Sequence, residues 1–163
     1  GSGLDDIQAR NRAEIEAHAV TVSLTGSTAP IRVMHPVHVL LSRNANLHTL
    51  ASKQDEIGCK QFALAIAVAR AYLEGRIDEI ERRKSDAGNG RRRAALAAIK
   101  RVVEYSGEDA AKKNAARYGI FLADAIPAWR IHVPEFWSKQ WPQLRQCMSP
   151  DYARRCEERS GKT

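Results

Sequence analysis

Between Met34 and Leu50 the chain reads MHPVHVLLSRNANLHTL. At about 100° per residue, Val37, Leu40, Leu41, Leu47 and Ala51 gather on one side of a helix. Asn44 and His48 fall near the centre of that apolar stripe, one turn apart, while Ser42, Arg43 and Asn46 point elsewhere. His35-Pro36 is a favourable helix start, because proline at the first helical position gives up only an amide that had no partner. An unpaired amide or imidazole inside an apolar face costs about 1–3 kcal/mol. The stripe therefore anchors a polar network in the core or lines a pocket.

The rest of the pattern is also mostly helical. Leu4 to Ala17 has helical composition. Val20, Val22 and Leu24 then alternate with Thr21 and Ser23, as in a half-buried strand, and Gly26 to Pro30 reads as a turn before a second short strand, Ile31 to Met34. A helix follows Lys53; from Phe62 to Leu73 it is apolar at almost every angle, with Arg70 its one charge, the pattern of a helix central in a bundle. Ser85 to Gly90 is a loop. Arg91 to Tyr105 reads as a third helix with Leu96, Ile99, Val102 and Val103 inward, and Glu108 to Leu122 as a fourth, terminated by Pro127. Short helices are predicted near Pro134–Met148 and Pro150–Arg159. The fold class is thus mainly α: a helical bundle over residues 35–163, preceded by a short N-terminal helix and a β-hairpin over residues 1–34.

Composition adds bounds. A chain of 163 residues that is 44% hydrophobic can bury one ordinary core. No apolar run approaches the ~18 residues a membrane span needs, and no secretory signal is recognisable. The three cysteines, Cys59, Cys147 and Cys156, are odd in number and widely spaced, which predicts free thiols and a cytoplasmic setting. The chain starts Gly-Ser-Gly without methionine and so reads as a piece cut from a longer protein.

Charge is distributed unevenly. From Arg82 to Arg117 there are eleven Lys/Arg against four Asp/Glu, so the whole net charge of +7 sits in this stretch. Such a patch attracts polyanions, nucleic acid first among them; the plainer reading is a solvated, soluble surface. Arg91-Arg92-Arg93 stands at a helix start, where positive side chains oppose the macrodipole unless phosphate meets that end. Lys100, Arg101, Lys112 and Lys113 extend the same basic face.

Other chemistries find less footing. His35, His38, His48 and Cys59 lack the paired short spacings of a structural zinc site. No nucleophile elbow and no phosphate-cradling glycine loop occurs. No Asp or Glu lies between Ala17 and Gln54, so Gly26-Ser27 is not followed there by metal-binding carboxylates of the kind two-metal transfer needs. Trp129, Trp137 and Trp141, interleaved with Arg130, Lys139 and Arg145, could stack bases, but such clusters more often close the end of a core.

MHPVHVLLSRNANLHTL, followed by Lys53, Gly58, Gln61 and the run Leu64–Arg70, resembles the C-terminal helical half of bacterial nucleotidyltransferase-like proteins of the DNA polymerase beta superfamily, some of them toxin-type enzymes. Tyr118-Gly119-Ile120, Asp124-Ala125-Ile126 and Trp141-Pro142-Gln143 match its later punctuation loosely, so the resemblance covers roughly Val33 to Met148. It implies that the hairpin is the last edge of a truncated α/β domain. It also implies that Arg43, Asn46 and Lys53 face a nucleotide and acceptor cleft, with Asn44 and His48 supporting them. That superfamily's catalytic Gly-Ser and Asp-x-Asp domain is not in this sequence. No catalytic residue, metal ligand or cofactor is therefore assigned here, and Mg²⁺ with a nucleoside triphosphate enters only with an upstream domain. The leading expectation is a substrate-side domain, inactive alone, that binds nucleotide or RNA. Alternatives are a stand-alone basic nucleic-acid-binding protein and a helical protein-interaction, antitoxin-like module, either of them open to homo-oligomerisation.

Overall fold

The first helix of the bundle, α1 (Pro36–Thr49), begins where Pro36 predicts. The His35 ring supplies the cap: its Nδ1 accepts the Val37 amide at 3.2 Å, which leaves Nε2–H to meet the Tyr72 hydroxyl at 2.9 Å. The structure is a computed structural model that describes residues 19–23, 25–26, 29–82, 89–132 and 134–161, without the side chains of 79–82 and 89–96. The helix expected over Leu4–Ala17 lies outside the described residues, as does most of the Ser85–Gly90 loop.

After α1 the chain passes through a 3₁₀ turn at Ala51–Lys53 into α2 (Glu56–Arg82), 27 residues long and so roughly 40 Å. Asp55 Oδ1 caps α2 by accepting the Gly58 amide at 2.7 Å. Gly58 is glycine for a steric reason: a Cβ there would overlap the Lys53 carbonyl. Next come α3 (Asn89–Ser106) and α4 (Asp109–Tyr118). α4 stops four residues short of the expected Leu122, because Gly119 takes a left-handed φ of 66° and its amide closes on the Ala115 carbonyl. Pro127 lies beyond it, between 3₁₀ turns at Leu122–Ala125 and Ala128–Arg130. A π-turn at Phe136–Gln140, α5 (Trp141–Arg145) and α6 (Pro150–Ser160) complete the chain.

The architecture is mainly α, as the pattern predicts, with a two-stranded antiparallel hairpin of β1 (Val20–Val22) and β2 (Ile31–Val33). Opposite residues share a face, so the register Val20↔Val33 and Val22↔Ile31 puts four aliphatic side chains on one side. The expected half-burial is not observed: all four are exposed.

Which helix is central also differs from expectation. α1 is buried nearly all round: Val37, Leu40, Leu41 and Leu47 on its apolar side, and His38, Ser42, Asn44 and Asn46 besides. It packs against α2, α3 and α4. The apolar α2 buries only the face carrying Phe62, Ala65, Ile66, Ala69 and Leu73, and leaves Ile57, Leu64 and Val68 exposed at 64%, 65% and 48%. Periodicity counts apolar residues and is blind to how many neighbours a helix has, so polar side chains paired inside the core disguise the central helix.

The C-terminal third is tied down by polar groups. Arg70 reaches out of α2, donates from Nε to the Asp124 carbonyl at 2.7 Å, and lies 4.3 Å over the Tyr152 ring. The Asp124 carboxylate accepts the Ser149 amide at 2.9 Å and its hydroxyl at 2.6 Å, which anchors the start of α6. Trp137 and Trp141 pack against Phe136, and their indoles donate to the Ile131 carbonyl and to Glu157. Trp129, Trp141 and Phe136 are buried, so the aromatic cluster closes a core and offers no open row of rings for bases.

Candidate functional site

The C-terminal ends of two helices line a cleft. α1 contributes Leu47 and His48 from its last turn, and α4 contributes Lys113, Asn114, Ala116, Arg117 and Tyr118. The open cavity between them has a volume of about 420 Å³, within the range of ordinary small-ligand sites. Lys113 and Arg117 sit four residues apart and so project from the same side of α4. Both are exposed, and no carboxylate is among the described lining residues. The lining therefore carries net positive charge, as an anion would require.

The wall behind these cations is rigid. Asn114 is 1% exposed, and its amide nitrogen donates to both the backbone and the side-chain carbonyl of Asn44, each at 2.9 Å. The pair locks α4 to the middle of α1, with Asn114 rather than His48 as the partner of Asn44. At the rim, Gln54 bridges the two elements: its Nε2 donates to the His48 carbonyl at 3.0 Å and its Oε1 accepts Arg117 Nη1 at 3.1 Å. The Arg117 guanidinium also lies 5.2 Å from the Tyr118 ring centre. The Tyr118 hydroxyl is buried and has no hydrogen-bond partner.

The residues expected to form the substrate face do not line this cleft. Asn46 is 3% exposed and turned into the protein, on a side of α1 that the periodicity left to solvent. Arg43 is half-buried on the α1–α2 seam, with Nη1 donating to Gln61 Oε1 at 3.2 Å. Lys53 belongs to the 3₁₀ turn, its carbonyl against Gly58. His48, expected only to support from below, is itself a lining residue.

The basic stretch divides as well. Lys113 reaches the cleft, and Lys112 is exposed beside it. Lys100 pairs with Glu104 at 3.7 Å, one turn on. Arg101 is turned inward, its Nη1 2.9 Å from His38 Nε2, and so ties α3 to α1. The side chains of Arg91, Arg92 and Arg93 lie outside the described ones. Arg117 and Gln54 are cleft residues that the sequence does not single out; the Lys113–Arg117 spacing on one helix is the one local signal for the first.

A second titratable cluster surrounds Asp124 but is closed. Burial pushes the Asp124 carboxyl above its ordinary value, against the lowering pull of its Ser149 hydrogen bonds and of Arg70. Burial likewise raises the Tyr152 hydroxyl, which donates to the Ile126 carbonyl at 3.0 Å, and lifts the Cys156 thiol to about 11. All three cysteines are free thiols. Among the described residues no three His, Cys, Asp or Glu gather as metal ligands, and no helix is long and apolar enough to cross a membrane. Comparison with known proteins returns no matching family model, curated protein or solved structure.

Proposed function

We propose that this chain is a nucleotide-binding helical domain which holds the phosphates of its ligand in the cleft between α1 and α4. The observation that carries the reading is the convergence of Lys113, Arg117 and His48 on one cavity of about 420 Å³, with no acidic residue among its described lining. Arginine grips phosphate with a planar fork and lysine with a compact charge, and hydrogen bonds to charged groups are roughly twice as strong as neutral ones. Gln54 holds the Arg117 fork at the rim, so less side-chain freedom is lost on binding. The resemblance to the substrate-side half of nucleotidyltransferase-like proteins points the same way. On that reading the chain orients a nucleotide for catalytic carboxylates supplied by another domain, and Asn44 and Asn114 serve as the scaffold beneath.

Titration calorimetry with ATP and GTP at low salt tests this. Binding is expected, and Lys113→Ala with Arg117→Ala together should weaken it at least about tenfold, roughly 1.4 kcal/mol. Lys112→Ala, outside the cleft, should leave it within about twofold. No nucleotide binding, or binding indifferent to the double substitution, overturns the reading. RNA is the second candidate, favoured by the concentration of net charge between Arg82 and Arg117. It would show itself as an affinity falling steeply with salt and sensitive to Arg91–Arg93.

A further inference from the structure

The exposed face of α2 has a register of its own. Ile57, Gln61, Leu64, Val68, Ala71 and Gly75 follow one another at spacings of four, three, four, three and four, the alternation of a coiled-coil seam. Within this row Ile57, Leu64 and Val68 are large and exposed, Ala71 and Gly75 are small and exposed, and only Gln61 is half-buried. α1, which covers the opposite face of α2, reaches this row only at Gln61, which accepts Arg43 Nη1 at 3.2 Å, and leaves its other members exposed. We propose that α2 pairs antiparallel with α2 of a second copy of this chain, about a two-fold axis at the level of Ile66.

Three features select that occupant and that direction. In an antiparallel pair centred at residue 66, Leu64 meets Val68 of the second copy and Val68 meets its Leu64, so the two largest adjacent groups form the middle of the interface. Ile57 meets Gly75 at each end and Gln61 meets Ala71 between, so each longer side chain faces a short one. Size complementarity of this kind within one sequence is what a two-fold, self-matching interface requires. Lys60 and Glu74 flank the seam on the same side, each three residues after a seam position. The antiparallel arrangement brings Lys60 of one copy beside Glu74 of the other, twice, with Ala67 facing Ala67 on the axis. A parallel pair would instead set Lys60 near Ala65, with no charge to meet. Within its own helix Lys60 pairs with Glu56 at 2.5 Å, both side chains more than 70% exposed. A pair so exposed is weak and is readily exchanged for the new partner.

Sedimentation equilibrium of the whole chain over a wide concentration range provides the test, with circular dichroism to check folding. The wild type should dimerise, and Leu64→Lys or Val68→Lys should abolish the dimer while leaving the helical signal intact, since both positions are exposed. Lys60→Glu alone and Glu74→Lys alone should each weaken the dimer about tenfold, and combining them should restore it to within about threefold. A monomeric wild type overturns the proposal and leaves the α2 face to a different partner. So does a dimer that survives Leu64→Lys, or a charge exchange that fails to rescue. Nucleotide binding at the α1–α4 cleft is read separately, so neither result decides the other.

Discussion

Asn114 donates from a single amide nitrogen to two oxygens of Asn44, the backbone carbonyl and the side-chain carbonyl, at 2.9 Å each. Both residues are buried, at 1% and 3% exposure. This one residue satisfies polar atoms that water cannot reach and fixes the floor of the cleft. Asn114→Ala should therefore cost about 2–3 kcal/mol in denaturant unfolding, since it strands an acceptor and leaves a small void. Asn114→Asp should cost more at neutral pH, because a carboxylate would face two acceptors, and should recover partly in acid. Equal losses for the two variants at all pH values would contradict the donor role.

Gly58 is expected to tolerate no side chain. A methyl group there meets the Lys53 carbonyl, which belongs to backbone and cannot swing aside. Gly58→Ala should displace the turn between α1 and α2 and lower stability by about 3 kcal/mol or more, although alanine favours helices by nearly 1 kcal/mol. A melting temperature unchanged from wild type would count against the close approach.

Asp124 makes stability depend on pH in a definite direction. Burial raises its folded value above the ordinary carboxylate value of about 3.9. The protonated acid is thus favoured by folding, and its contribution is fully present below the unfolded value and lost as pH rises through the raised folded value. The difference in unfolding free energy between wild type and Asp124→Asn should accordingly shrink with rising pH across that interval. A difference that grows with pH would show that the Ser149 hydrogen bonds and Arg70 outweigh desolvation.

Cys156 should resist alkylation in the native protein. Its side chain is fully buried and its thiol is raised to about 11, so thiolate is scarce at neutral pH. Cys59 and Cys147 are only half-buried. Peptide mapping after brief treatment with iodoacetamide should find label at those two before Cys156, which should react only once the chain unfolds.

How far the sequence foretold this depends on the range of each interaction. The start of α1 is local, a histidine cap and a proline, and is legible. So are the hairpin and the approximate spans of the later helices. The left-handed Gly119 is local too, yet Pro127 looked the stronger stop. Asn44 could be recognised as needing a partner, but that partner lies 70 residues away and nothing near Asn114 announces it. Asn46 escapes the pattern for the same reason: its side of α1 looks polar, and only the folded chain buries it. Lys113 was legible as a basic residue and His48 as an anomaly, but their meeting at one cavity follows from packing alone.

The bond between Asn44 and Asn114 also sets an order of events during synthesis. A ribosome adds about 5–20 residues per second, so the nascent α1 waits several seconds before α4 exists to receive it. Until then the side-chain carbonyl of Asn44 can be satisfied only by water, which keeps the helix from settling into a dry core. The bundle is thus expected to form in a late cooperative step, and a chain halted before Asn114 should remain a target for chaperones and proteases.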